Sequence, residues 1–202
     1  MTKIYDISQT IKEGMPIWPG DTEYAADPTW ILEGGCPVNV SKLTLSSHTG
    51  THADAPLHYG NHGVPVDGLS LTPYLGLCHV IDGDAGLAQL PEKLERVLLK
   101  QFKTYPHNVW PVDFPTPTSD FIDGLAARGC QLIGVESPSI DPETSKNLPC
   151  HKAVERHGMA ILEGLVLTDV PCGTYELIAL PLKLAEVDAS PVRAILREIK
   201  SA

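Results

Sequence analysis

Three histidines and one aspartate fall within eleven residues of this chain, in Ser47-His48-Thr49-Gly50-Thr51-His52-Ala53-Asp54-Ala55-Pro56-Leu57-His58, and all four occupy even positions. Alternate side chains of an extended segment share a side. The spacing therefore predicts that His48, His52 and Asp54 face one way together, with Gly50 leaving that side clear. Imidazole and carboxylate are ligands that zinc and manganese accept, and a catalytic metal site keeps a position open for water. Pro56 should bend the chain, so that His58 leans over the site without ligating. The plainer alternative is a hydrogen-bonded structural cluster, with Asp54 merely opening a turn before Ala55-Pro56. Two histidines converging on the same side count against it.

The rest of the composition narrows the setting. A chain of 202 residues can build one full hydrophobic core, so a single domain over 1–202 is expected. Its formal charge of −10 and the lack of a basic tract argue against nucleic acid and acidic membrane surfaces as partners. No apolar run approaches the roughly 20 residues that cross a bilayer, and Met1–Asp6 lacks the apolar stretch of a signal peptide. Five scattered cysteines (36, 78, 130, 150 and 172) form no CxxC pair. They read as reduced, mostly buried thiols of a cytoplasmic protein.

Along the chain the pattern is mixed α/β without repeats or linkers. Lys3–Ile11 reads as a first strand broken at Ser8-Gln9, and Asn39–Leu45 as a strand running into the histidine segment. Leu77–Ile81 and Leu132–Val135 read as buried strands. Met159–Leu162 and Leu165–Leu167 read as buried strand or loop around Glu163. Pro91–Leu99 has helical character. So has Ser119–Arg128, capped at Thr118 or Ser119 and ended by Gly129. Cys150–His157 is a short helix stopped by Gly158, and Pro191–Arg197 a closing helical turn. Met15-Pro16-Ile17-Trp18-Pro19-Gly20-Asp21 is a stiff loop, because each proline sets its own φ and restricts its predecessor.

Other polar residues carry weaker signals. His62 reads as a loop residue, His79 as a core histidine with its polar atoms satisfied, and His107 and His157 have no supporting pattern. Trp18 by itself is an ordinary aromatic. HExxH, GxSxG, P-loop and GxGxxG patterns are all missing from the sequence, which removes support for serine nucleophiles and nucleotide binding.

His48–His58 matches HxGTHxDxPxH, the signature of the metal-dependent cyclase-like hydrolases. The likeness extends to Trp18-Pro19-Gly20-Asp21, Asp141-Pro142, His151, Ile161-Leu162-Glu163 and Asp188-Ala189-Ser190-Pro191-Val192-Arg193, which resemble the bacterial kynurenine formamidase (arylformamidase) branch. That resemblance implies an α/β fold of the swivelling β/β/α type with mixed β-sheets, and a homodimer. It implies two divalent ions per subunit, zinc first and manganese as the alternative. His48, His52, Asp54, His151 and Glu163 would ligate, Asp54 and Glu163 bridging. His58 would be the catalytic histidine and Trp18 a substrate contact. The implied reaction is hydrolysis of the aromatic formamide N-formyl-L-kynurenine to L-kynurenine and formate, a step of tryptophan degradation. Two other readings stay open: a relative that opens a cyclic amide or lactone such as isatin, and a non-catalytic metal-binding protein.

Overall fold

The uninterrupted apolar runs of this chain become strands covered on both faces. The computed structural model describes residues 2–83, 88 and 90–199. Its strands are β1 (Ile4–Asp6), β2 (Ala25–Trp30), β3 (Val40–Thr44), β4 (His52–Asp54), β5 (Leu75–Asp82) and β6 (Arg96–Lys100). They continue with β7 (Leu132–Val135), β8 (Ala160–Glu163), β9 (Gly173–Ile178), β10 (Ala189–Pro191) and β11 (Ile195–Glu198). The two α-helices are α1 (Ser119–Ala126) and α2 (Pro149–His157).

Nine strands form one mixed sheet in the order β1-β11-β9-β5-β6-β7-β8-β4-β10, and β2 and β3 form a separate two-stranded ribbon. The β5-β6-β7-β8 centre is parallel and both flanks are antiparallel. Side-chain alternation divides the core in two. Val97, Leu99, Ile133 and Ile161 face α1 and α2, meeting Phe121, Ile122, Leu125 and Val154. Their neighbours Leu98, Leu132 and Leu162 face the opposite layer with Tyr175, Leu177 and Leu196. A strand buried on both faces has no polar side, so its sequence reads as continuous hydrophobicity.

That explains one difference from the sequence reading. Pro91–Leu99 is not helical: its apolar end belongs to β6, between β5 and β7. A short apolar run has the same periodicity in either element, and long-range pairing decides. Pro191–Arg197 is likewise not a helical turn, because Ala189–Pro191 pairs with β4 and Ile195–Glu198 with β9. Lys3–Ile11 keeps strand geometry only over Ile4–Asp6. Both helices lie where expected. The Thr118 hydroxyl accepts from the Phe121 amide at 3.1 Å to start α1, and Gly158 ends α2 in the left-handed region. Cys78, Cys130 and Cys150 are buried, Cys36 is partly buried and Cys172 is exposed. Among the described residues no helix is long and apolar enough to cross a membrane.

Candidate active site

Strand β4 lies between β8 and β10, and its register builds the site. His52 stands opposite Glu163, with Nε2 3.3 Å from Oε2. Two residues on, Asp54 points to the same side. Its Oδ1 lies 3.2 Å from His48 Nδ1 and 3.4 Å from His52 Nε2, and its Oδ2 lies 3.4 Å from His151 Nε2. One buried carboxylate thus faces three imidazoles, and Glu163 closes the group 3.8 Å from His151.

The extended geometry expected of the whole segment holds only for His52–Asp54. His48 sits in a turn and comes back to the same side because Gly50 adopts φ +69°. Glycine is needed there: a Cβ would stand 3.2 Å from Ile11 Cγ1 on a backbone that L-residues rarely adopt. The neighbouring loop is equally tight, since a Cβ on Gly164 (φ +64°) would approach the Gly50 carbonyl to 2.6 Å. Thr51 ties the two loops, donating to the Gly164 carbonyl at 2.6 Å and accepting from the Gln9 amide.

His151 comes from the first turn of α2. The buried Asp141 accepts from the Cys150 and His151 amides, both at 3.0 Å, and meets His151 Nδ1 at 2.7 Å. It satisfies helix-start donors that Leu148, the residue before the helix, leaves without a side-chain cap. It also holds the ring so that Nε2 faces Asp54. His52 is turned the same way by Nδ1 contact with the Gly50 carbonyl at 2.9 Å. Orienting one ring nitrogen through a hydrogen bond at the other is how ligand histidines are set.

Charge and hydrogen bonding single out the same atoms. Burial opposes a charged His52, but the facing carboxylates of Asp54 and Glu163 outweigh it and push its pKa up to about 10. His151 is likewise raised to about 10: burial opposes the charge and contacts with Asp141 and Asp54 outweigh it. Asp54 is held well below the usual carboxylate range by His151, His48 and His52, against its burial. His52 Nε2, His151 Nε2 and both Asp54 oxygens are buried without a hydrogen-bond partner of good geometry. Unpartnered nitrogen and carboxylate oxygen atoms that converge in one buried cluster fit a divalent cation.

Two overlapping trios have ligand atoms within 4.8 Å of one another: His48, Asp54 and His58, and His52, Asp54 and Glu163. Asp54 belongs to both. His58 lies on a short 3₁₀ turn, Pro56–His58, that bends the chain as Pro56 suggested. Its ring centroid is 4.3 Å from that of His48. His58 is therefore within ligand reach as well as within reach of a substrate.

Above the cluster opens a cavity of about 330 Å³ that reaches His48, His58, His151 and Glu163. Trp18 lines it from the stiff loop, where the Asp21 amide bonds the Trp18 carbonyl at 2.9 Å. Trp18 meets Trp110 edge-on at 5.6 Å and Phe114 at 6.4 Å. Trp110 is anchored by its indole N–H on Glu143 at 2.8 Å. The described lining contains no lysine or arginine. Sequence reasoning missed Trp110 because no periodic pattern marks its loop. It assigned no role to Asp141 or Asp188, although both stand in the segments that carried the resemblance.

The cyclase family model, described as "Putative cyclase", matches residues 5–142. The chain belongs to the cyclase family. It is 48% identical to the kynurenine formamidase of Erythrobacter litoralis, with 99% of this chain and 96% of that protein covered. It is also 48% identical to the kynurenine formamidase of Maricaulis maris, over 98% and 100% of the two chains. A solved structure described as a potential metal-dependent hydrolase with cyclase activity superposes with a TM-score of 0.83 at 30% identity, covering both chains fully. This member of the cyclase family thus has the mixed α/β architecture that the sequence suggested.

Proposed function

We propose that this chain hydrolyses N-formyl-L-kynurenine to L-kynurenine and formate. One observation carries the reading: a buried carboxylate, Asp54, meets three imidazoles at the floor of an aromatic-walled cavity. The names of the relatives supply the substrate class, and the tryptophans lining the cavity suit an aryl group. His48, His52, Asp54, His151 and Glu163 would hold two divalent ions, zinc or else manganese. When bound, such ions polarise a carbonyl and lower the pKa of water.

The residues of the chain do the rest. Trp18 and Trp110 receive the aryl ring and place the formyl group over the cluster. Water oxygen adds to the formyl carbon as His58 takes the proton it sheds, and the C–N bond then breaks as His58 delivers that proton to the departing aryl amine nitrogen. Formate and a free arylamine leave. Ring opening of a cyclic amide such as isatin would use the same groups, so substrate preference is the deciding measurement. Zinc-loaded protein should show a much higher kcat/KM on N-formylkynurenine than on isatin, measured side by side. Faster turnover of isatin would remove the formamidase reading, and no turnover of either would favour a metal-binding role.

We further infer that the 202-residue chain is one domain working as a homodimer in the cytoplasm. The dimer is supported by the β2-β3 ribbon, which leaves Trp30, Ile31, Leu32, Val40 and Leu43 exposed. A lone two-stranded ribbon is marginal in water and such a patch calls for a cover. Light scattering should give twice the chain mass.

A further inference from the structure

Asp188 lies just before β10, and the sheet fixes where it points. Its carbonyl accepts from the Ala55 amide at 2.8 Å, and Ala189 pairs with Asp54 across β10 and β4. The Ser47 hydroxyl donates to its Oδ1 at 2.9 Å. That leaves Oδ2 between two rings, 3.1 Å from His48 Nε2 and 3.3 Å from His58 Nδ1. A carboxylate oxygen only accepts, so both nitrogens must carry hydrogen. The opposite nitrogens are His48 Nδ1, which faces Asp54 Oδ1 at 3.2 Å, and His58 Nε2. His58 has no other ring hydrogen bond among the described residues, and its side chain is 33% exposed. Without Asp188 its ring could turn and exchange tautomers.

We propose that Asp188 is the positioning residue that fixes which nitrogen of His58 carries hydrogen, and so aims Nε2 at the scissile C–N bond. The claim rests on the formamidase reading for its substrate and on the geometry above for its mechanism. An ionised partner that sets an imidazole's tautomer and direction makes proton transfer efficient without taking the proton itself.

The test uses zinc-loaded protein, ring-substituted formanilides that span leaving-amine basicity, and ¹⁵N spectra of the histidine rings. Asp188→Ala should leave zinc content unchanged at saturating zinc and KM nearly unchanged. It should lower kcat on the order of 10²-fold, within the range of general acid–base groups, and make the rate depend more steeply on the leaving amine. His58 should pass from one tautomer to a mixture. Asp188→Asn, which keeps one acceptor oxygen, should fall between, and it carries the same readouts should the alanine variant not fold. In a His58→Ala background, Asp188→Ala should cost no further kcat, because residues acting as one unit are not additive. An unchanged His58 tautomer, an unchanged leaving-group dependence or a further loss in the double variant would each overturn the proposal. If the parent protein cleaves no formanilide, the formamidase reading fails, while the tautomer spectra still decide whether Asp188 sets His58.

Discussion

The cation cluster and the aromatic wall share one cavity but are built differently. His52, Asp54 and Glu163 stand on adjacent strands and His151 on a helix start, all four almost fully buried. Trp18 and Trp110 come from loops and pack against Phe114, and Trp18 is 36% exposed. Sheet register holds the cluster to a fixed geometry, whereas the wall depends on loops packed edge to edge. On the proposed function, the contrast separates the chemistry, which tolerates little displacement, from substrate choice, which loops can change while the sheet stays as it is.

The sharpest way to break this comparison is at Asp54, which both halves of the cluster share. Asp54→Ala should abolish measurable hydrolysis and cut zinc content by elemental analysis. Retention of both would show that the cluster does not depend on the shared carboxylate. His58→Ala comes next, with a loss of about 10²–10⁴-fold in kcat and zinc content preserved. Loss of zinc in that variant would move His58 into the ligand set, which its place in one trio permits.

Smaller effects sharpen the contrast. Asp141→Asn loosens His151 without removing a ligand, so zinc affinity by competition with a chelator should fall roughly 10–100-fold. Activity should return at saturating zinc, and a loss that zinc does not restore would assign Asp141 to the fold alone. On the wall, Trp18→Ala or Trp110→Ala should raise KM for N-formylkynurenine by about tenfold, the equivalent of about 1.4 kcal/mol of lost aromatic contact. Zinc content and turnover of a small non-aromatic formamide should barely move. Equal losses on both substrates would place the tryptophans in support of the fold.

The two regions also differed in how far the sequence revealed them. His48, His52, Asp54 and His58 were legible because they are close in sequence and of types that seldom cluster without a reason. His151 and Glu163 entered through resemblance, since nothing local ties them to a segment about a hundred residues earlier. Trp110 stayed hidden in a proline-rich loop whose path depends on packing against Trp18 and Phe114. The same divide runs through the fold. Thr118 and Gly158 marked helix ends through local backbone chemistry. The strand at Arg96–Lys100 read as helix because its partners lie elsewhere in the chain.

By itself the sequence determined the grouping of His48, His52 and Asp54, the mixed α/β class, both helices and the bend that carries His58, since these follow from residue types and short spacings. Tertiary structure decided which carboxylate meets which imidazole. The β4-β8 register sets Glu163 against His52, the left-handed backbone at Gly50 turns His48 back toward Asp54, and the β10-β4 pairing puts Asp188 between two rings. Contacts between segments far apart in the chain depend on sheet pairing and close packing, and neither leaves a periodic trace in any one segment.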